Sequence, residues 1–178
     1  IDPGSVNFTT VTTTAATKPA STYLNPEAHI RHALDFAKRR GLHPAFAIYE
    51  PGFTRAGAAL ARVAGVKPPI YRFMFSERLA FGFPPRPYAL AAHLALLAET
   101  APGAPWMTAG LTVDVRPLIG ETVAQGGHVR VGLEDAPLGS SMTNLAWVED
   151  AVRLVRQNGG EPAAAAEVRT DLRALAAS

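Results

Sequence analysis

The segment Gly126–Asp135, GGHVRVGLED, carries the side chains in this chain that are best suited to chemistry. Side chains alternate along a β-strand, so a strand here would place His128, Arg130 and Glu134 on one face and apolar side chains on the other. An arginine and a carboxylate on a buried face must pair or serve a ligand, because isolated buried charges are costly. The pattern therefore predicts either a functional site or an internal Arg130–Glu134 ion pair without chemistry.

Other polar candidates carry weaker signals. Glu50 ends an apolar run just before Pro51 and Gly52, where a site residue and an acid at a helix start are equally good interpretations. Asn7 and Thr10 lie in or just after the first predicted strand, where turn and loop roles are the default. For His128, the pattern favours a packed core histidine.

A metal site, if present, must use histidine and carboxylate ligands, because the chain has no cysteine. The pattern His-x-His occurs nowhere in the sequence. A complete metal-ligand cluster is therefore not visible in this chain.

The elements that would position these side chains alternate regularly between strand and helix. Strict alternation with mostly apolar strands indicates parallel strands and right-handed crossovers, an α/β fold class. The C-terminal end of the last strand, where such folds place their active sites, carries Arg130 and Glu134. The predicted strands are residues 5–9, 45–49, 70–75, 106–111 and 128–133, and the predicted helices are 25–41, 53–64, 86–100, 115–125, 144–158 and 163–177, with a loop over 9–21.

The spacing of these elements is close to that of a (β/α)₈ TIM-barrel type fold. A closed eight-stranded barrel needs about 250 residues, whereas the chain has 178 residues and five predicted strands. The pattern alone leaves open a doubly wound sheet or an incomplete barrel. Because no glycine-rich phosphate-binding fingerprint follows a strand, a nucleotide-binding open sheet is disfavoured.

Composition restricts the classes of partner. The formal net charge is +2, from 17 basic and 15 acidic residues, and the basic residues are spread along the chain. We therefore expect no nucleic-acid or membrane partner. No apolar run reaches the length of a membrane span and no signal peptide is visible, so a cytoplasmic location is expected. The chain begins with isoleucine, which we interpret as a processed, trimmed or fragmentary protein.

The segment GGHVRVGLED resembles the signature near the last strand of the β-keto acid cleavage enzymes, typified by 3-keto-5-aminohexanoate cleavage enzyme. Further segments resemble that family in the same order along essentially the whole chain. They are DPGSVNF from Asp2, FAKRRGLHPAFAIYEPGF from Phe36, FGFPPRPYAL from Phe81, the pair Pro105-Trp106, the helix that follows Asn144, and the closing EPAAAAEVRTDL.

This resemblance implies a (β/α)₈ barrel with one zinc ion and a retro-Claisen type acyl exchange. In that reaction a β-keto acid and acetyl-CoA give acetoacetate and a new acyl-CoA. The resemblance makes Glu134 a zinc ligand, and gives Arg130 and Asp135 roles in charge stabilisation and proton transfer. It places a substrate-binding threonine at Thr10, with Thr9 as the alternative.

We also expect Asn7 and Glu50 to bind substrate, and we expect a homo-oligomer, as is common in the family. Two departures from the family pattern matter. The family's other zinc ligands are two histidines in a His-x-His pattern on the second strand, which would lie before Ile1 with the first and third strands. Many members have Pro-Glu where this chain has Pro44-Ala45, which leaves the substrate class open.

The resemblance predicts that residues 1–178 are a single domain, the last five βα units of a barrel, inactive on its own. Two alternatives stay open at this point. The chain could be a non-catalytic α/β scaffold or assembly module, or it could belong to another metal-dependent barrel lyase or aldolase.

Overall fold

The computed structural model describes residues 1–11 and 21–176, in which a parallel sheet of four strands is the central element. The strand order is β3-β4-β5-β6, and each strand pairs in parallel with the next. The strands are β1 Val6–Phe8, β2 Ser21–Tyr23, β3 Ala45–Ile48, β4 Ile70–Phe75, β5 Trp106–Gly110 and β6 His128–Val129. The helices are α1 Glu27–Arg40, α2 Pro51–Ala64, α3 Pro87–Thr100, α4 Ile119–Ala124, α5 Asn144–Gln157 and α6 Ala165–Leu175, with a 3-10 turn at Arg116–Leu118.

Local sequence sets the limits of the long helices. Pro51 and Pro87 occupy the first turns of α2 and α3, where a missing N–H costs nothing. Gly41 and Gly65 end α1 and α2 with φ values of 64° and 61°, a conformation that glycine adopts without steric cost. These short, defined connections carry the chain from one parallel strand to the next.

One face of the sheet packs against the helices. Phe46 of β3 lies close to Gly57 of α2, Phe73 of β4 stacks on His93 of α3 with ring centroids 4.5 Å apart, and Thr108 of β5 bonds to α4. Phe46, Phe73 and Thr108 are all buried. Burying apolar area in this layer is the main source of stability for the fold.

The opposite face carries small and basic side chains. The strand register places Ala47, Arg72, Met107 and His128 side by side in one row. Arg130 follows two residues after His128, so its side chain lies on the same face. Its backbone N–H donates to the Thr108 carbonyl at 2.9 Å, which extends the pairing with β5 beyond the end of β6.

The structure corrects the prediction of five parallel strands. The first predicted strand, Val6–Phe8, pairs antiparallel with Ser21–Tyr23 and is not a member of the parallel sheet. Instead Ile1 pairs beside β3, through bonds between its amino group and the Ala45 carbonyl and between the Ala47 N–H and its own carbonyl. Of the loop predicted over 9–21, residues 12–20 lie outside the described part of the chain, as does the end of the last predicted helix.

The last predicted strand is also shorter than expected. Strand β6 ends at Val129, and residues 132–136 form a turn in which the Asp135 and Ala136 N–H groups donate to the Gly132 carbonyl. Gly132 has a φ of 148°, which strongly favours glycine and interrupts the alternation that the sequence suggests. The single helix predicted over 115–125 is a 3-10 turn followed by the short α4.

Within residues 1–11 and 21–176, none of the helices combines the length and the apolarity needed to cross a membrane.

Candidate functional site

The turn after β6 brings together the three predicted residues of the signature. The Arg130 guanidinium donates to one Asp135 carboxylate oxygen from Nε at 3.1 Å and from a terminal nitrogen at 2.5 Å. The same terminal nitrogen lies 3.5 Å from a Glu134 carboxylate oxygen. Arg130 therefore holds both neighbouring carboxylates, and its closer partner is Asp135.

The two carboxylates differ sharply in exposure. The Asp135 side chain is 5% exposed, whereas that of Glu134 is 77% exposed. This reverses the predicted arrangement, in which strand alternation turned Glu134 inward with Arg130. The turn at Gly132 shifts the alternation by one residue, so Asp135 takes the inward position.

Burial sets the acid–base behaviour of Asp135. Desolvation raises the pKa of its carboxyl above the usual value, while the hydrogen bond and positive charge of Arg130 act in the opposite direction. The net pKa is raised, which moves the carboxylate towards the range in which it can exchange protons near neutral pH. A buried carboxylate with a single cationic partner is a typical candidate for a general base.

Sequence reasoning missed two residues near this site. Burial raises the pKa of the Tyr49 hydroxyl, the charge of Asp2 raises it further, and the smaller influences of Arg72, Arg130 and Glu134 also act on it. Arg72 lies in the middle of β4 on the same face as Arg130, and its buried Nε has no hydrogen-bond partner among residues 1–11 and 21–176. The signal was present, because a charged residue inside the apolar run IYRFMF alternates with buried aromatic residues.

The remaining predicted residues lie around this edge without joining the cluster. Glu50 is half-buried and directly precedes α2, at the same end of the sheet as Arg130. Thr10 is exposed and forms an isolated bridge with Leu79, in the segment after β4. Asn7 is exposed and accepts a hydrogen bond from Thr22 at 2.9 Å. No hydrogen bond or ion pair within the described residues links these three to Arg130 or its carboxylates.

Other sequence assignments have clearer outcomes. His128 is exposed, so its interpretation as a packed core histidine is wrong. The buried histidine is His93, which lies between Phe73, Phe75 and Phe83. Thr9 is also exposed, and its carbonyl accepts from the Ala80 N–H at 2.8 Å.

A metal ion would need more ligands than this cluster supplies. Catalytic zinc sites use about three protein ligands, and residues 1–11 and 21–176 contain no group of three or more histidine, aspartate or glutamate side chains placed to hold an ion. Asp135 is already engaged by Arg130, which leaves Glu134 as the one accessible carboxylate of the turn. These residues alone do not fit a complete zinc site.

Comparison with known proteins connects this geometry to a family. Residues 1–173 match the sequence profile of a family described as beta-keto acid cleavage enzyme. The search of curated proteins finds no match. Two solved structures, described as the ternary complex of ObcA with C4-CoA adduct and oxalate and the binary complex of ObcA with oxaloacetate, each match with a TM-score of 0.64 at 14% identity. Each match covers 97% of this chain and 44% of the other, so the chain spans less than half the length of these structures.

Proposed function

Because the chain belongs to the beta-keto acid cleavage enzyme family, we propose that the protein exchanges acyl groups between a β-keto acid and acetyl-CoA. The carbon–carbon bond next to the ketone breaks, the acyl group passes to CoA, and the acetyl group joins the remaining acetate unit to give acetoacetate. The observation that carries the proposal is the ion pair between half-buried Arg130 and buried Asp135 at the C-terminal edge of a parallel sheet. Active sites of such folds lie at this edge.

Asp135 is the proposed base. Its carboxylate would accept a proton from the carbon between the ketone and the acid group, which is the most acidic carbon of a β-keto acid. The raised pKa of Asp135, caused by burial, makes it a stronger base than an exposed aspartate. Arg130 keeps the carboxylate ionised in the resting state and fixes its direction.

Arg130 has a second proposed role in stabilising negative charge. Its guanidinium carries several donors, of which the Asp135 carboxylate uses two. The substrate brings a carboxylate and develops an enolate or alkoxide oxygen during the reaction. A cation that is already fixed beside that oxygen lowers the activation barrier of the reaction, because the cation does not have to move when the charge forms.

Small side chains lie on the sheet face near Arg130. Bulky apolar side chains normally fill the inside of a (β/α)₈ barrel, whereas Ala47 and Ala109 occupy this face beside Arg72 and Met107. We propose that the four-stranded sheet is an arc of such a barrel. The ligands of the ObcA structures, oxalate, oxaloacetate and a C4-CoA adduct, support small keto acids and CoA thioesters as the substrate class.

Zinc belongs to the proposal through the family resemblance. When bound, the ion would polarise the ketone carbonyl of the substrate. Glu134 is the ligand that this part of the chain would contribute, and its exposed carboxylate is open to a cation. The described residues do not complete the site, so the steps assigned above use only Arg130 and Asp135.

Substrate binding by Thr10, Asn7 and Glu50 remains a proposal. Glu50 is half-buried and directly precedes α2, at the same end of the sheet as Arg130, and so it is the best placed of the three. Thr10 lies beside Leu79 after β4, whereas Asn7 is engaged by Thr22. A homo-oligomer and a cytoplasmic location are likewise proposed.

Product analysis tests the function. The full-length protein is incubated with acetyl-CoA and a panel of β-keto acids, and acetoacetate and new acyl-CoA are identified by mass spectrometry. We expect both products in equal amounts, and a loss on the order of 100-fold in turnover for Asp135→Asn. Arg156→Met, which removes an exposed ion pair with Glu161, is the matched surface control. Absence of acetoacetate with every substrate would overturn the proposal.

A non-catalytic assembly role is the second candidate. The lack of a three-ligand cluster in the described residues favours it. Metal analysis of the full-length protein separates the two functions, because the enzyme should retain about one zinc per chain. A protein that binds no zinc and forms no product supports the assembly role.

A further inference from the structure

Two flanking segments hold the turn that carries Glu134 and Asp135. On one side, the Val113 N–H from the loop after β5 donates to the Asp135 carbonyl at 2.9 Å. On the other side, the Asn144 side-chain oxygen at the start of α5 accepts from the Leu133 N–H at 3.2 Å. The turn therefore has a backbone anchor on each side.

Asn144 is available for this bond because it does not cap its own helix. Thr143 caps the helix instead, because its side-chain oxygen accepts from the Ala146 N–H at 3.1 Å. A side-chain carbon added at Gly132 would lie 2.8 Å from the Asn144 oxygen. This close approach explains why the turn begins with glycine and why Asn144 reaches it.

Arg116 joins the two flanks to each other. Its guanidinium donates to Asp114 in the loop after β5, with Nε 2.9 Å and 3.1 Å from the two carboxylate oxygens. It also donates to Asp150 of α5 at 2.5 Å and lies 4.2 Å from the ring centroid of Trp147 on the same helix. Asp114 directly follows Val113, so the ion pairs close a ring around the turn.

We propose that Asn144 and Arg116 are positioning residues. They fix the direction of Glu134 and Asp135 by holding the turn that carries them from both sides. The consequence for catalysis rests on the proposed function; the mechanical claim does not. A displacement of about 1 Å at a reacting group can cost on the order of 100-fold in rate. Two flanking segments that are joined to each other hold a turn more tightly than its internal bonds to Gly132 alone.

Amide hydrogen exchange measured by NMR on the full-length protein tests whether Asn144 and Arg116 hold the turn. The reporters are the N–H groups of Val113 and Asp135, because neither bonds to the altered side chains. For Asn144→Ala we expect exchange at both amides to rise about 10-fold or more relative to amides of α3, a reference element outside the ring. Asn144→Asp keeps an acceptor oxygen, so it should restore slow exchange.

Arg116 has an internal control on the same partner. Arg153 also bonds to Asp150, but no bond joins it to the loop after β5. Arg116→Gln should therefore speed exchange at Val113 and Asp135, whereas Arg153→Gln should leave it unchanged. In a protein that cleaves β-keto acids, Asn144→Ala and Arg116→Gln should lower kcat about 10-fold with little change in KM.

The outcomes separate the two proposals. Faster exchange at the Val113 and Asp135 amides in Asn144→Ala and Arg116→Gln, with slow exchange restored in Asn144→Asp, supports the positioning role. This holds even if no β-keto acid is cleaved and the proposed function fails. The positioning role is overturned if the Val113 and Asp135 amides exchange at the wild-type rate in both Asn144→Ala and Arg116→Gln, whatever the activity. Equal acceleration at the α3 amides would also overturn it, because the effect would then be global unfolding.

Discussion

The two faces of the parallel sheet differ in what they bury. The helix-covered face places Phe73, Phe75 and His93 in a layer without solvent, with ring centroids 4.5 to 5.6 Å apart. The opposite face places alanines beside Arg72 and Arg130, and Arg72 has a buried nitrogen without a partner. One face is densely packed with apolar side chains, and the other carries charged side chains at a cost in stability.

This difference between the faces predicts which substitutions should affect stability and which should affect function. Changes on the helix-covered face should alter the free energy of unfolding strongly, because apolar contacts there are complete. Substitutions near Arg130 should alter the reaction rate more than the free energy of unfolding. The side chains in that region are partly exposed or already strained. Each prediction below tests that separation.

The largest effect is expected for Phe73→Ala. The fully buried ring stacks on His93 and Trp106, so its removal leaves a cavity and should lower the free energy of unfolding by about 3–5 kcal/mol. The matched variant on the other face is Met107→Ala, which is partly exposed and should cost about 1 kcal/mol. Urea unfolding measures both. Equal losses would show that the two faces do not differ.

The next effect concerns His93 and pH. Burial lowers the pKa of His93 to about 4 from 6.5, so the unfolded chain binds its proton at a higher pH than the folded chain. Its contribution to stability is therefore complete above pH 6.5 and is lost as pH falls to about 4, by about 3 kcal/mol. His93→Met should remove this dependence in unfolding measured from pH 4 to 7.

The same pH dependence in His93→Met and in wild type would contradict the assignment to the buried face.

A smaller effect, of opposite sign, is expected at Thr112. Among the described residues it is the one non-glycine with positive φ, at 59°, and its hydroxyl is buried without a partner. Thr112→Gly should relieve both costs and raise the free energy of unfolding by about 1 kcal/mol. Thermal unfolding measures the change, and a lower Tm would show that Thr112 is not strained.

Apolar runs made the central strands predictable. Strands β3, β4 and β5 begin at the predicted residues and end within one residue of the predictions, because a proline directly precedes each apolar run. The sequence of β1 gave no sign that Val6–Phe8 would lie outside the parallel sheet. Its antiparallel partner, Ser21–Tyr23, contains serine and threonine and has no strand signal.

The sequence predicted which polar residues would lie together after β6, but not how they would be arranged. The signature identified Arg130, Glu134 and Asp135, and the structure places all three together. Alternation failed at Gly132, whose backbone conformation depends on bonds to Ala136 and on the neighbouring Asn144. Such contacts come from distant segments, so a local pattern does not reveal them.

The most direct test of the account is the zinc content and turnover of Glu134→Gln in the full-length protein, against Glu161→Gln as an exposed control. Glu134 is 77% exposed, so its stability should stay within about 0.5 kcal/mol of wild type. We predict that Glu134→Gln loses zinc and on the order of 100-fold or more in acetoacetate formation, whereas the control keeps both. Full zinc content with full turnover in Glu134→Gln would contradict the assignment of chemistry to this turn.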